Sequence, residues 1–486
     1  MKATRMLALL LAFLTAAGAL AACAKDTGET PKNSGQNDSD SLPEETEEAY
    51  SYPEDADYGD YVFRVLNVDK NLWGAYTSFD AEDSGEGLDS AIYRRNRLVE
   101  ELLHVTFQEI NVPSDNLADQ LIQSVSADSD EYDIAFAMNT SISRLIPNGY
   151  ILNLLDEPDY QFDKPWWDKD VVNGLSLNDK LYAVTGPINL MASDLTACLW
   201  MNRDMIRAFN LEMPYDTVRD GKWTLDAFYS LNKAVANLNG QESFSPTPDG
   251  SATYGLMTSW VFVPCFMYGF DMNYFEQDGD GDFVFAADSE RFMTRLQKLS
   301  DFLSRNDGAA RYDTDISSAL TQAHKDGRVL FFTNELKACI AYRDSDMELG
   351  VMPFPKYDET QENYRSTISL ASMYTVPATN RDPERTAVIS DMLAYYSYKN
   401  VMSEYYTNYL FVKGLRDKDD DVEMMQLITQ VRGVDPAVVL GWIGGIHGWD
   451  ALPKKVGYGD TDLASYISTQ RDQMINAMED MMFYAD

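Results

Sequence analysis

From Tyr61 onward the chain alternates short apolar strands with amphipathic helices, and that alternation leaves few folds open. YVFRVLN (61–67) reads as an apolar strand, and Asp89 or Ser90 caps a helix on which Ile92, Val99, Leu102 and Leu103 recur at helical spacing. HVTFQEI (104–110) alternates as a second strand. Leu117, Leu121, Ile122 and Val125 mark a second helix, and Asp133 to Asn139 forms a continuous apolar strand of the kind buried on both faces. A β-α-β-α-β order requires right-handed crossovers, which make a parallel sheet whose carboxyl strand ends open onto a ligand crevice. Asn67, Asn139, Thr140 and Ser141 stand at those ends, with short polar side chains suited to hydrogen bonding.

A second set of elements begins after Gly186-Pro187. LTACLWMN (195–202) reads as a strand. Thr224 caps a helix beginning LDAFYSLNKAV, and Asp226 lies in its first turn, where the helix dipole favours negative charge. Tyr254 to Met257, GRVLFFTN (327–334) and Gly350 to Met352 supply further strands, and Tyr-rich helical sequence occupies 384–410. In EQDGDGDFVF (276–285), Asp278, Asp280 and Asp282 alternate as in a calcium loop. Counting from Asp278, the sixth position is Phe283 instead of glycine and the twelfth is Ser289 instead of glutamate, so a hairpin turn is expected there. No metal and no cofactor is expected.

The segment ahead of this body has a different character. Residues 1–22 join Lys2 and Arg5 to an apolar run from Met6 to Leu14 and then small residues, the pattern of a secretory signal. Leu20-Ala21-Ala22-Cys23 looks like a bacterial lipobox, with Cys23 as the lipidated first residue of the mature chain. Residues 23–60 are acidic and nearly free of aliphatic side chains, so they are expected to form a disordered linker between the lipid anchor and the folded body. The whole chain carries 78 Asp plus Glu against 39 Lys plus Arg, a formal net charge of −39, which argues against nucleic acid as a partner and favours a soluble monomer. Cys198, Cys265 and Cys339 stand among apolar neighbours and read as small buried hydrophobes, with a single disulfide left open.

The order of short motifs carries a resemblance. After the lipobox and acidic linker come AIYRRNRLVEE (91–101), KPWWD (164–168), KLYAV (180–184), LWMNRDMI (199–206), GKWTLD (221–226), YGLM (254–257), GRVLFF (327–332) and LGVMPFPKYD (349–358). Together they resemble the extracellular solute-binding lipoproteins of ABC importers, of the carbohydrate type found in the maltose-binding superfamily. The resemblance implies an α/β, two-lobed periplasmic-binding-protein-like fold, each lobe a mostly parallel sheet flanked by helices, joined by hinge strands. It places the first crossing near Thr185 to Asp194 and the second near Ser369 to Thr379. The amino-terminal lobe would then comprise 61–185 with 325–372, and the carboxyl-terminal lobe 186–324 with 373–486. It further implies capture of a small solute, foremost an oligosaccharide, and delivery to the transmembrane subunits of an ABC permease.

Sugars present C–H faces that stack on aromatic rings and hydroxyls that need fixed donors and acceptors, so the candidate contacts combine both types. Trp73 lies just past the first strand, in NLWGAYTS, where ligand contact and loop packing are both open. Trp260 follows the YGLM strand, with packing in WVFVPCF as its competitor. GWIGGIHGWD (441–450) holds Trp442 and Trp449 and reads either as an aromatic loop lining the cleft or as a packing corner. Trp200 and Trp223 read as core, as do Trp166 and Trp167. Asp194, at the first crossing, is either an acceptor for sugar hydroxyls or a solvated surface charge, and Glu335 poses the same choice. Asn334 ends a buried-type strand, and with Glu335 it occupies the place where the resemblance leads one to expect a tryptophan.

The rival reading from another class is a secreted glycoside hydrolase, which needs two carboxylates about 5 to 10 Å apart. No His-Glu-x-x-His helix and no Gly-x-Ser-x-Gly elbow is present. A binding protein for peptide or another polar nutrient is the nearer alternative.

Overall fold

The computed structural model describes residues 50–279, 281–314, 316–342, 346–411 and 418–485, the side chains of 411, 418, 445–449 and 485 aside. The signal segment, Cys23 and most of the linker lie outside these residues. The last eleven linker residues do not: the Tyr58 amide donates to the Leu103 carbonyl at 2.9 Å, and Gln161 Nε2 donates to the Ser51 carbonyl at 3.1 Å. The linker therefore ends earlier than expected: its backbone bonds to the folded body here, and Tyr52 and Tyr58 are half-buried.

The predicted alternation is realised as β1 (Tyr61–Val68), α1 (Gly87–Leu103), β2 (Val105–Val112), α2 (Ser114–Ser126) and β3 (Ile134–Met138). Both β2 and β3 run parallel to β1, and every residue of β3 is buried. Helix α1 starts at Gly87, so Asp89 and Ser90 lie within its first turn and do not cap it. Gly87 has φ +85°, a conformation that turns the chain into the helix earlier than a side-chain cap at Asp89 would.

β4 (Ala197–Asn202) opens a second sheet. It is followed by α3 (Leu225–Val235), whose cap Thr224 accepts the Ala227 amide at 3.3 Å as expected, and by β5 (Tyr254–Ser259). β6 (Phe275–Gln277) and β7 (Phe283–Phe285) make the hairpin read from the acidic segment. β8 (Ala310–Asp313), β9 (Val329–Glu335) and β10 (Leu349–Met352) complete the second sheet in the order β10-β4-β9-β5-β8. β5, β8 and β9 are mutually parallel where they pair, while β4 runs antiparallel to both β9 and β10. Trp223, Phe228, Phe266 and Phe331 fill the core beneath it, their rings in edge and tilted contacts.

The return of the chain differs from expectation. β9 and β10 belong to the second sheet, so 325–352 is not part of the first lobe. After the short β11 (Ser366–Thr367) the chain passes to β12 (Ser372–Thr375), which pairs antiparallel with β3 in the first sheet. Helix α4 (Pro383–Tyr396) packs on α1, whereas α5 (Lys418–Gln430) lies on β10, so 372–396 sits with the first sheet and the chain later comes back to the second. An apolar run announces a strand but not its partner, which is why the periodicity gave these elements and the lobe assignment failed.

The second passage between the sheets is shorter than the expected Ser369 to Thr379, because Ser372–Thr375 already belongs to the first sheet. Val184 bridges Tyr374 and Thr196 bridges Ile368, so two chain passages run beside each other between the sheets. β13 (Arg432–Gly433) adds a third segment by pairing with β11. A buried ion pair ties these segments together. Arg432 Nη2 meets Asp168 Oδ1 at 2.5 Å, Arg432 Nη1 donates to Thr196 Oγ1 at 3.1 Å, and Thr185 Oγ1 donates to Asp168 Oδ2 at 2.5 Å. The extra hydrogen bonds to both ends of the first crossing offset the desolvation of the two charges.

Candidate functional site

The loop after β1 meets the first crossing and the segment just past β9, at the carboxyl strand ends where a parallel sheet leaves polar side chains free to meet a ligand. Asp194 is the centre of this junction. It closes the turn Met191–Asp194 and is fully buried. Its Oδ2 accepts the Tyr76 amide at 2.6 Å and its Oδ1 accepts the Tyr405 hydroxyl at 2.7 Å. Burial pushes its carboxyl up to about 6, against the lowering effect of those bonds and of nearby Lys337. Both alternatives set for Asp194 are thereby corrected: it is neither solvated nor open to a sugar hydroxyl, and it holds the loop after β1 against the crossing.

That loop carries Trp73. The residue has φ +51° and ψ +26°, a left-handed conformation uncommon for a bulky side chain, and its surface is 54% exposed. The Lys337 ammonium, two residues past β9, donates to the Trp73 carbonyl and so joins the second sheet to the loop of the first. Backbone conformations of this kind persist where the surroundings over-determine them, and they concentrate at ligand contacts. Asn67 helps to impose this one. Its Nδ2 donates to the Thr77 carbonyl and to Glu109 Oε1, both at 2.7 Å, and its Oδ1 accepts the Val68 amide at 2.9 Å. Asn67 is buried and spends its polar atoms on the loop, so its expected role as a contact gives way to a positioning one. Buried Arg95 on α1 adds a second brace by donating to the carbonyls of Phe79 and Ile188, at 2.9 and 3.3 Å.

Across the junction β9 ends in Asn334 and Glu335, both half-buried. Ser369 Oγ donates to Glu335 Oε1 at 3.0 Å, which links the strand end to the second crossing. Trp260 follows β5 directly and is half-exposed, with the Lys454 ammonium 5.0 Å from its ring centre. Asn139 is buried and tied to Ala371 by its amide at 2.8 Å, whereas Thr140 and Ser141 keep partial exposure on the turn past β3. The first tryptophan of the Gly-rich segment does not reach the junction. Trp442 is fully buried between Phe275 and Phe283, ring centres 5.1 and 5.0 Å away, and is the packing corner of the two alternatives. Trp449 lies on α6 (Gly445–Tyr458), and its side chain is outside the described residues.

Two residues at the junction were absent from the sequence reading. Lys337 is one. The other is Tyr409, half-buried on the π-helical stretch Tyr405–Phe411, where it stacks on Tyr405 at 5.5 Å and meets Tyr76 edge-on at 6.0 Å. Widened helical turns of this type recur at functional sites. The density of tyrosine over 384–410 was the available signal, but helical periodicity alone does not say which rings face a cleft. Of the residues named for this region, Trp73 stays open to solvent, and Tyr409, Trp260, Asn334, Glu335, Lys337, Thr140 and Ser141 each keep part of their surface exposed.

Comparison with known proteins points in one direction. The model of a family described as bacterial extracellular solute-binding protein matches residues 99–409. No curated protein matches the sequence. Among solved structures, an extracellular solute-binding protein from Staphylococcus aureus in complex with maltose is 10% identical, with a TM-score of 0.57 over 88% of this chain and 99% of that one. A cyclo/maltodextrin-binding protein complexed with maltotetraose is 12% identical, with a TM-score of 0.55 over 89% and 98%. An ABC substrate-binding protein from Listeria monocytogenes in complex with cycloalternan is 12% identical, with a TM-score of 0.51 over 87% and 98%. At these identities the likeness establishes the two-lobed fold.

Proposed function

This chain belongs to the bacterial extracellular solute-binding proteins, and from that premise we propose that it captures an oligosaccharide between its two sheets and hands it to the permease of an ABC importer. The observation that carries the reading is Trp73: a tryptophan left open to solvent, held in a left-handed conformation by its neighbours, and joined to the opposite sheet through Lys337. The flat Trp73 ring suits the C–H face of a sugar, and Asn334, Glu335 and Lys337, at and just past the end of β9, suit its hydroxyls. Three structural neighbours were solved with maltose, maltotetraose and cycloalternan, which supports a saccharide as the guest. Cys23 would carry the lipid that keeps the loaded protein at the outer face of the membrane. Among the described residues no helix is long and apolar enough to cross a membrane.

Binding without chemistry is the favoured reading. A hydrolase needs one carboxyl free to give a proton to the leaving oxygen and another free to attack or to activate water. Asp194 has the raised carboxyl such an acid needs, but both its oxygens are committed to Tyr76 and Tyr405. The test is incubation of the mature protein with α- and β-linked gluco-oligosaccharides and with mixed peptides. The expected result is a saturable change in tryptophan fluorescence, one ligand per chain, with saccharides recovered uncut. Peptide binding alone, or accumulating cleavage products, would overturn it.

A further inference from the structure

The strand register extends the site in one direction. Ala197 of β4 faces Glu335 of β9, Phe332 of β9 faces Met257 of β5, and Ser259 of β5 faces Asp313 of β8. Carried to the end of β9 and one residue past the ends of β5 and β8, these pairings put Glu335, Trp260 and Thr314 in one row along the edge of three adjacent strands. With strands about 4.8 Å apart, that row runs roughly 10 Å from the junction to the outer edge of the sheet.

At the outer end of the row lies a second open aromatic. Tyr458 closes α6, is 65% exposed, and its hydroxyl is hydrogen-bonded to Thr314 Oγ1. Its ring stands edge-on to Tyr312, with centres 5.1 Å apart at 82°. Gly457 makes this approach possible. A Cβ there would stand 2.2 Å from the Tyr312 ring, so only glycine lets the helix backbone rest on it. Asp450, Lys454 and Tyr458 follow at four-residue spacing along one face of α6, and that face carries the Lys454 ammonium over Trp260 and then Tyr458 over Thr314.

We propose that the ligand surface does not stop at Trp260 but continues to a distal subsite in which the Tyr458 ring, fixed by Thr314 and Tyr312, stacks on the far end of the same linear oligosaccharide that lies on Trp73. This rests on the oligosaccharide reading and adds to it that the cleft selects for chain length. A short sugar fills the space between Trp73 and Trp260, and only a longer one reaches Tyr458.

The experiment is calorimetric titration of the mature protein, and of its Tyr458→Ala and Tyr458→Phe variants, with the series maltose to maltohexaose and cellobiose to cellohexaose. Affinity of the unmodified protein is expected to rise with length within the series that binds. Tyr458→Ala should weaken the longest bound member about three- to tenfold, leave the disaccharide within twofold, and be rescued by Tyr458→Phe, which keeps the ring. Thermal melting should leave both variants near the parent, because the side chain is mostly exposed. Length-independent affinity, or an equal effect of Tyr458→Ala on every length, would overturn the distal subsite while leaving the oligosaccharide reading in place. Failure of every saccharide in both series to bind would overturn that reading, and the subsite with it.

Discussion

Oδ2 of Asp194 accepts the backbone N–H of Tyr76 at 2.6 Å, so a carboxyl buried in the first crossing holds the loop that presents Trp73. The titration of this group has a definite sign. Its carboxyl is raised from 3.8 to about 6, chiefly by burial, so between those values the folded protein binds more protons than the unfolded chain. Stability contributed by Asp194 is therefore fully present below pH 3.8 and is lost as pH rises toward 6, by about 3 kcal/mol for a shift of this size. Asp194→Asn removes the titration and one of the two accepted hydrogen bonds. Urea unfolding of both proteins at pH 4 and pH 7 should show a wider gap in favour of the parent at the lower pH, and a gap independent of pH would contradict the raised carboxyl.

Arg432 and Asp168 brace the crossings from the side. Both charges are largely withdrawn from water, so removing one leaves the other without compensation. Asp168→Asn is expected to cost about 3–5 kcal/mol in equilibrium unfolding. The double variant Asp168→Leu with Arg432→Met should recover part of that loss, since neither charge is then stranded. Recovery of stability together with weaker ligand binding would identify the pair as a device for hinge geometry. An additive loss in the double variant would show that the two residues act separately.

How much of this was legible beforehand depended on whether the deciding contact was local. The spacing of Ile92, Val99 and Leu103, the Thr224 cap and the unbroken apolar run of β3 depend on near neighbours in sequence, and these elements were found. So were the buried states of Trp166 and Trp167, whose indole N–H groups both reach Asp391 Oδ1, at 3.0 and 2.8 Å. The pairing of β9 with β4, and of β12 with β3, is set by residues more than a hundred positions apart, and nothing in Val329–Glu335 names its partner. The site suffered in the same way. Asn67 and Asp194 were picked out as polar groups at strand ends and crossings, which is correct, but what they bond is decided by Thr77, Glu109, Tyr76 and Tyr405. Trp73 and Trp442 both sit in Gly-containing aromatic segments, and only the approach of Phe275 and Phe283 separates the buried ring from the open one.

The Lys337 ammonium holds the Trp73 carbonyl from the opposite sheet, so it fixes the position of the loop more than the stability of either sheet. Lys337→Met keeps the apolar stem and removes the donor. Because this contact is partly exposed, its loss should change the unfolding free energy by no more than about 1 kcal/mol. Ligand affinity should fall several-fold, since the ring must then be ordered at the moment of binding. Amide hydrogen exchange over 69–77 offers a direct check: faster exchange in the variant is expected, and unchanged exchange would mean that Asp194 and Asn67 hold the loop without Lys337.

Trp73 and Trp442 provide the sharpest contrast between contact and core. Trp73 is more than half exposed, so Trp73→Ala removes little buried surface and should leave the melting temperature near that of the parent. If the ring is the platform on which the solute stacks, the same change should cost about 2 kcal/mol or more of binding, roughly thirtyfold in affinity. Trp442 is fully enclosed by Phe275 and Phe283, and Trp442→Ala should cost about 3–5 kcal/mol of stability through the cavity it opens. Its effect on affinity should be small wherever the variant remains folded. Calorimetric titration paired with urea unfolding of the two variants separates the cases. Were Trp73→Ala to bind as the parent does, the cleft reading would lose its principal aromatic surface, and the stacking would fall to Tyr409, Trp260 and Tyr458.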